Sequence, residues 1–292
     1  MAQKSIKRPE NIDASFFVDE SCIDCDTCRW MAPSVYDQVK GKSAVIKEPQ
    51  TDAEKKAAMQ ALISCPTASI GYTGTEIDIK AVQNTFPILI EDNVYHCGYH
   101  SEQSFGATSY FIQREAGNVL VDSPRFTKAL VDKLEAMGGI KYMFLTHKDD
   151  IADHQKFHDH FGCQRIIHKY EFCDRIPAAE IVIEHEYHSK IDDAEDELVM
   201  IYSPGHTRGH MLLNYKKQFL FSGDHISYSK KLNQLIAWKD YCWSWDKQIE
   251  SVEKLIEYYW AWLLPGHGRR IKAHPEAYKL HIESCVEWMK LQ

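Results

Sequence analysis

The sequence predicts two domains in series: a small α+β unit built around cysteines, then a larger α/β layered unit built around histidines and aspartates. Three observations predict this. Cys22, Cys25 and Cys28 stand at every third residue, and Cys65-Pro66 adds a fourth thiol from far along the chain. From about residue 84 onward, apolar strand runs alternate with helical patterns, the order that stacks helices on sheets. Several of those runs end on a His or Asp in a turn: Thr146-His147, Pro204-Gly205-His206-Thr207, Ser222-Gly223-Asp224 and Pro265-Gly266-His267-Gly268.

With 292 residues, 44% of them hydrophobic, the chain can bury one large core or two unequal ones. A net charge of -8, with no basic tract, argues against nucleic acid and anionic lipid as partners. No apolar segment follows the basic residues Lys4, Lys7 and Arg8, and no run approaches the roughly 18 apolar residues of a membrane-spanning helix. A soluble, cytoplasmic protein is expected. Nine cysteines, an odd number, read as a metal framework plus free thiols in a reducing compartment, not as a disulfide scaffold.

In residues 1–75, three thiols on one loop wrap a single inorganic centre. Zinc frameworks favour two separated Cys-x-x-Cys pairs, whereas one loop plus a distant Cys-Pro suits an iron-sulfur cube. Between them, Thr51-Asp52-Ala53-Glu54 is a capping box that opens a helix with Ala58, Met59, Ala61 and Leu62 on its apolar side. Pro66 ends that helix by excluding the helical conformation at Cys65. From about Ser15 to Gly74 the chain resembles single-cluster bacterial ferredoxins: the apolar strand Phe16-Phe17-Val18, Asp19 before the cysteine loop, Ala32-Pro33 after it, and Ala68-Ser69-Ile70 after the last cysteine. The resemblance implies a 4Fe-4S cluster on Cys22, Cys25, Cys28 and Cys65. Asp24 and Asp26, inside the loop, would disfavour the more negative reduced cluster or simply be solvated.

Residues 75–84 read as a connection. Strands follow at Ile88-Leu89-Ile90 and Val94-Tyr95, then at Ser109–Ile112 and Val119–Asp122. His96, Cys97 and His100 lie off every metal turn and read as core or surface residues. A helix carries Leu130, Val131, Leu134 and Met137 on one face with Gly138 past its end. The strand to His147, a helix through Phe157 and Phe161, and strands at Arg165–His168, Leu198–Tyr202, Met211–Tyr215 and Phe219–Phe221 continue the alternation. Ser244 caps a helix whose Ile249, Val252, Ile256 and Tyr259 face inward. Pro275 opens the last helix, with Tyr278, Ile282, Cys285 and Met289 on its buried side.

Thr146-His147-Lys148-Asp149-Asp150-Ile151-Ala152-Asp153-His154 packs carboxylates between two histidines at a strand end, a ligand mix that suits zinc or iron. With the three later turns, this order makes residues 84–292 resemble a metallo-β-lactamase fold, an αββα sandwich with metals at one sheet edge. The resemblance implies that His206 binds the first metal, Asp224 bridges, His267 binds the second and Asp122 orients a neighbour. The first motif departs from the usual His-x-His-x-Asp-His. Here Asp149 stands in the second histidine's place and Asp153-His154 come two positions late, an alignment preferred to one in which Ile151-Ala152 have replaced ligands. His147, Asp149 and His206 are then expected on one metal, and Asp153, His154 and His267 on the other, with Asp150 facing solvent. A carboxylate in that place resembles the flavodiiron branch of the family, although no flavin domain accompanies it here.

His210 is a candidate second-layer or substrate contact, while His158, His160, His168, His185, His188 and His225 match no family ligand. Trp238, Tyr241, Trp243 and Trp245 read as a substrate-pocket lining or a buried aromatic cluster. Cys97, Cys163, Cys173, Cys242 and Cys285 read as free thiols. Two metals can activate water or, as iron, do redox chemistry. An electron-storing cluster favours a redox enzyme: electrons pass from the cluster to a non-haem di-iron site and on to a small molecule such as dioxygen or nitric oxide. A zinc-dependent hydrolase of esters, thioesters or phosphodiesters is the alternative, as is a non-enzymatic electron carrier or redox sensor. An external electron-donor protein and a homo-oligomer are compatible with each.

Overall fold

The computed structural model describes residues 2–192, 198–274 and 276–292, and it divides into two compact units. The first comprises residues 1–113 and 124–139, and the second residues 114–123 and 140–292. The cysteine-rich region therefore shares a unit with the strands that follow it, although the sequence reading draws a boundary near residue 75. Pro275 lies outside the described residues.

In the first unit, β1 (Phe16–Val18) pairs antiparallel with β4 (Ile70–Tyr72), and β2 (Tyr36–Val39) forms a hairpin with β3 (Lys42–Val45). The short helix α1 (Thr27–Met31) carries Cys28, and α2 (Asp52–Ser64) runs back to Cys65. The capping box is present: Thr51 Oγ1 accepts from the Glu54 amide at 3.2 Å, and Glu54 accepts from the Thr51 amide at 3.1 Å. Ala58, Met59, Ala61 and Ile63 are the buried face of α2, with Leu62 only half-buried. After α3 (Ile79–Gln83), the strands β5 (Ile88–Glu91), β6 (Val94–His96) and β7 (Tyr110–Ile112) form an antiparallel meander. Helix α4 (Lys128–Ala136) buries Leu130, Val131 and Leu134.

In the second unit, β8 (Val119–Val121), β9 (Tyr142–Phe144), β10 (Gln164–His168) and β11 (Ile181–Ile183) are parallel neighbours in that order, with α5 (His154–Phe161) between β9 and β10. The central positions of β8, β9 and β10 are buried and apolar, as two-sided cover demands, whereas in the edge strand β11 only Ile183 is buried. A second sheet runs β12 (Ser189–Lys190), β13 (Leu198–Tyr202), β14 (Met211–Tyr215), β15 (Phe219–Gly223), β18 (Trp262–Pro265) and β19 (Ile271–Lys272). The hairpin of β16 (Ser227–Ser229) and β17 (Gln234–Ile236) is a separate two-stranded sheet, with Leu235 packed in the core under the six-stranded one. Helices α6 (Trp245–Lys254) and α7 (Tyr278–Lys290) cover this sheet, with Val252, Leu255, Ile282, Cys285 and Met289 packed on Leu212, Leu220 and Leu263.

Tyr259 is not part of the α6 face. The helix tightens to a 3-10 turn at Leu255–Glu257, which rotates the chain and buries Trp260, leaving Tyr259 at the surface. The five remaining cysteines are free thiols. Among the described residues, no helix is long and apolar enough to cross a membrane.

Candidate metal centres

In the first unit, Cys22, Cys25, Cys28 and Cys65 all line one cavity, whose other walls include Val18, Ile23, Pro66 and Ile70. The loop reaches this shape by placing Asp24 (φ 61°) and Asp26 (φ 65°) in the left-handed region, which aspartate tolerates better than most residues. Arg29, almost buried, ion-pairs with Asp24 and, at 2.6 Å, with Asp26. Its charge offsets the two carboxylates, so they are not the uncompensated negative pair that the sequence allows. The Ser69 amide donates to Cys65 Sγ at 3.3 Å, and Cys25 Sγ lies 3.4 Å from Thr27 Oγ1. Burial pushes the Cys25 thiol up to about 11 and Cys28 higher still. Four thiols, none in a disulfide, converge on one cavity, and with Cys25 and Cys28 raised by burial they fit a group that supplies positive charge, as an iron-sulfur cluster does.

In the second unit, parallel pairing brings the ends of β8 and β9 level, with Val121 opposite Phe144. Asp122 and His147 therefore emerge at the same edge, the carboxyl end where such sheets place ligands. Asp122 accepts from the Thr146 amide at 2.8 Å and from Thr146 Oγ1 at 3.0 Å, while that hydroxyl lies 2.9 Å from His147 Nδ1. One hydroxyl has one proton. Given to Asp122, it leaves Thr146 to accept from Nδ1–H, so the His147 Nε2 lone pair points away from this chain of bonds. With its carboxylate ionised, Asp122 thus orients its neighbour as expected, through the Thr146 hydroxyl.

His147 Nε2 is buried without a hydrogen-bond partner, and burial pushes its pKa down to about 3, which keeps the ring neutral and able to ligate. His206 reaches the same point from the loop after β13. Both Nε2 atoms lie 3.7 Å from Asp224 Oδ2 and 3.8 Å from Asp149 Oδ2. Ligands about 2.1 Å from a tetrahedral metal are separated by roughly 3.4 Å, so a small contraction around a cation would complete this arrangement. The structure gathers His147, Asp149, His206 and Asp224 into a first subsite.

β15 and β18 are parallel neighbours, with Gly223 opposite Pro265, and this sets Asp224 beside His267. The His267 Nδ1 lies 2.7 and 2.8 Å from the two Asp224 oxygens. Burial alone would push the Asp224 carboxyl up. The surrounding His267, His147 and His206 overcome this and hold it below the usual carboxylate range. The third member is Asp150, whose ligand atoms lie within 4.8 Å of those of Asp224 and His267.

Asp150 corrects the sequence expectation, which leaves it in solvent. It is 1% exposed, and neither of its carboxylate oxygens has a hydrogen-bond partner. Asp153 and His154 are committed elsewhere. Asp153 stands at the N-cap position of α5, and its carboxylate pairs with Lys156 at 2.7 Å. His154 Nε2 lies 3.0 Å from the Arg175 carbonyl, and its Nδ1 lies 3.3 Å from Arg165. The physical cause is the turn before α5: Ile151 is fully buried, Ala152 takes a positive φ of 22°, and the chain between them points Asp150 inward and Asp153 along the helix. Gly266 leaves the space this needs, since a Cβ there would lie 2.7 Å from Asp150 Oδ2 and 2.9 Å from Asp224 Oδ1.

Orphaned buried oxygens on Asp150, a bare Nε2 on His147 and a glycine beside Asp150 and Asp224 fit a site that binds metal. His210 is second-layer: its Nε2 accepts from the Asp224 amide at 3.2 Å, and burial keeps it neutral. Tyr241 and Trp243 are exposed and form no buried cluster. The Trp243 amide donates to the His206 carbonyl at 2.7 Å, which sets that aromatic beside a candidate ligand.

Burial raises the Asp150 carboxyl well above its ordinary value, so below that raised value it holds a proton that a cation must displace. Metal affinity should therefore rise with pH from the ordinary carboxylate range up to the raised value and then level off. Calorimetric metal titration of chelator-stripped protein in two buffers of different ionisation enthalpy should show proton release below that value. An unchanged heat between buffers would contradict it.

Two families match the chain: the 4Fe-4S single cluster domain of Ferredoxin I over residues 18–72, and the metallo-beta-lactamase superfamily over residues 104–267. No curated protein sequence matches it. Among solved structures it is similar to the VMB-1 protein crystallised at pH 5.5, at 16% identity over 70% of this chain and 95% of that one, TM-score 0.54. It is also similar to a metallo-beta-lactamase of Pontibacter korlensis, at 14% identity over 70% and 98%, TM-score 0.53. A metallo-beta-lactamase family protein of Thermus thermophilus is a further neighbour, at 16% identity over 70% and 80%, TM-score 0.51. At these identities the likeness establishes the fold, one used by metal-dependent enzymes. A ferredoxin-type domain beside it points to redox as well as metal-dependent chemistry. The lactamase match spans more than half of the chain, which thus belongs to the metallo-beta-lactamase superfamily and carries a single-cluster 4Fe-4S ferredoxin domain ahead of that fold.

Proposed function

We propose that the protein is a redox enzyme. Cys22, Cys25, Cys28 and Cys65 hold the cluster; His147, Asp149, His206, Asp150, Asp224 and His267 hold a pair of irons; and the acceptor is a small molecule such as dioxygen or nitric oxide. The observation that carries this reading is the donor set. Three carboxylates face three imidazoles at the candidate site, and Asp149 stands where a histidine is usual. Carboxylate-rich, hard donor sets suit iron better than the imidazole-rich sets typical of zinc. A hydrolytic site has no need of the electron store in the other unit.

Irons at this site would supply one-electron chemistry to a small acceptor. The chain's own residues set the conditions. Asp122 and Thr146 hold His147 in the ligating tautomer. Asp224 stays ionised between the two subsites, and Asp149, the most exposed ligand, marks the side open to solvent and acceptor. An external electron-donor protein would feed the cluster one electron at a time.

Metal analysis of protein made and purified without oxygen tests the reading. About six irons per chain are expected, four in the cluster and two beyond it, with no stoichiometric zinc. Four irons plus zinc would instead favour the hydrolase.

A further inference from the structure

We propose that Glu171 is a positioning residue for the first metal subsite, a buried anionic clasp that fixes the spacing between the loop of His147 and Asp149 and the loop of His206. The proposal rests on the assignment of those three residues as ligands, though not on which metal they hold. Glu171 follows β10 in a 3-10 turn and is 0% exposed. Its Oε2 accepts from the Lys148 amide at 2.9 Å, and its Oε1 accepts from the Gly209 amide at 2.6 Å. No basic side chain pairs with it among the described residues. Lys148 stands between His147 and Asp149, and Gly209 is three residues past His206.

A buried carboxylate without a counter-charge is unfavourable for folding unless its hydrogen bonds are fully used. Both donors here are backbone amides of the ligand loops, so the restraint falls on those loops. The chemistry requires a carboxylate. Two N–H groups converge on two oxygens that can only accept, whereas a glutamine of the same shape would turn an NH₂ towards one of the donors.

The neighbourhood reinforces the grip. The His168 ring stacks on Tyr202 at 4.8 Å, and the Arg208 guanidinium lies 3.9 Å from the centre of the Tyr170 ring. Tyr202 Oη donates to the Arg208 carbonyl at 3.0 Å. Gly209 fits against the carboxylate only because it has no side chain, since a Cβ there would lie 2.8 Å from both Glu171 Oε1 and His168 Nδ1. Asp150 and His267 receive no bond from it, and the second subsite should not depend on it.

The test uses the full chain with its cluster intact, stripped of the other metals and titrated with Zn²⁺ against a chromophoric chelator. Co²⁺ paramagnetic resonance on the oxidised protein reads the geometry of each equivalent. Glu171→Gln should weaken one equivalent by about 10- to 100-fold and alter its cobalt signal, leaving the other equivalent and the cluster as in the parent. Glu171→Asp, which keeps the charge but shortens the reach, should fall between. Gly209→Ala approaches the same contact from the opposite side and should weaken the same equivalent, which keeps the test open if Glu171→Gln does not fold. His206→Ala should remove that equivalent altogether. Loss of one equivalent in His206→Ala with parental binding in Glu171→Gln would overturn the clasp alone. Parental binding in both variants would overturn the ligand assignment and the clasp with it. A proportional weakening of both equivalents, tracking a fall in thermal stability, would mean a merely structural role and would also overturn the clasp.

Discussion

Replacing His206 with alanine is expected to slow reoxidation of the reduced protein by dioxygen by roughly a hundredfold or more, with the cluster chromophore at parental intensity. His206 brings one of two imidazole nitrogens to the first subsite, each 3.7 Å from the shared Asp224 oxygen. Without it, His147, Asp149 and Asp224 cannot close a four-donor site. The variant should fold, because the His206 loop is held by other bonds: the Gly205 carbonyl accepts from the Ser244 amide at 3.0 Å, and the Pro204 carbonyl accepts from Ser251 Oγ at 2.6 Å. Stopped-flow absorbance of the cluster band against dioxygen reads the effect. Parental reoxidation rates in this variant would remove the second unit from the electron path.

Cys65→Ser is expected to abolish the cluster. A serine hydroxyl is a poor iron ligand at neutral pH, and the other three thiols share one loop that closes only onto this distant partner. The site leaves no slack: Cys65 caps α2, its Sγ accepts from the Ser69 amide, and its carbonyl accepts from Arg125 at 3.3 Å. Iron content should fall by about four per chain, the brown colour should be lost, and the melting temperature should drop, because cluster binding is also folding free energy. Zinc at parental occupancy of the four cysteines, with no iron in the parent protein, would contradict the cluster assignment.

Much of this was legible from local sequence, and the misses share a cause. The three thiols on one loop, Cys65 before Pro66 and the capping box at Thr51 act within a few residues of one another, so spacing alone predicts them. The turns holding His206, Asp224 and His267 follow apolar strands; β15 pairs parallel with β18, and β13 runs the same way as β15 through the antiparallel β14 between them, so the three ends lie at one edge. The loop from Asp149 to His154 was not legible in the same way. Four carboxylate and imidazole side chains compete there for two inward places, and the winner depends on the burial of Ile151 and the positive φ of Ala152, neither of which has a sequence signal. Asp150 consequently reads as a solvated turn residue, although it is one of the most buried carboxylates of the site. Glu171 is hidden for a similar reason. Lys169-Tyr170-Glu171 looks like a polar surface turn, and only the fold brings two backbone amides from distant loops onto its carboxylate. Arg29 likewise neutralises Asp24 and Asp26 through a geometry that composition cannot reveal.

We propose that electrons held by the cluster leave through the histidine-carboxylate site. The most direct measurement is rapid anaerobic reduction of the cluster followed by mixing with dioxygen, comparing iron-loaded protein with protein whose second site has been reloaded with zinc. Multiple turnovers are expected for the iron form in the presence of excess reductant, and a zinc form whose intact cluster stays reduced for far longer. Equal reoxidation rates for the iron and zinc forms would mean that the cluster meets the acceptor by itself and that the histidine-carboxylate site lies off the electron path.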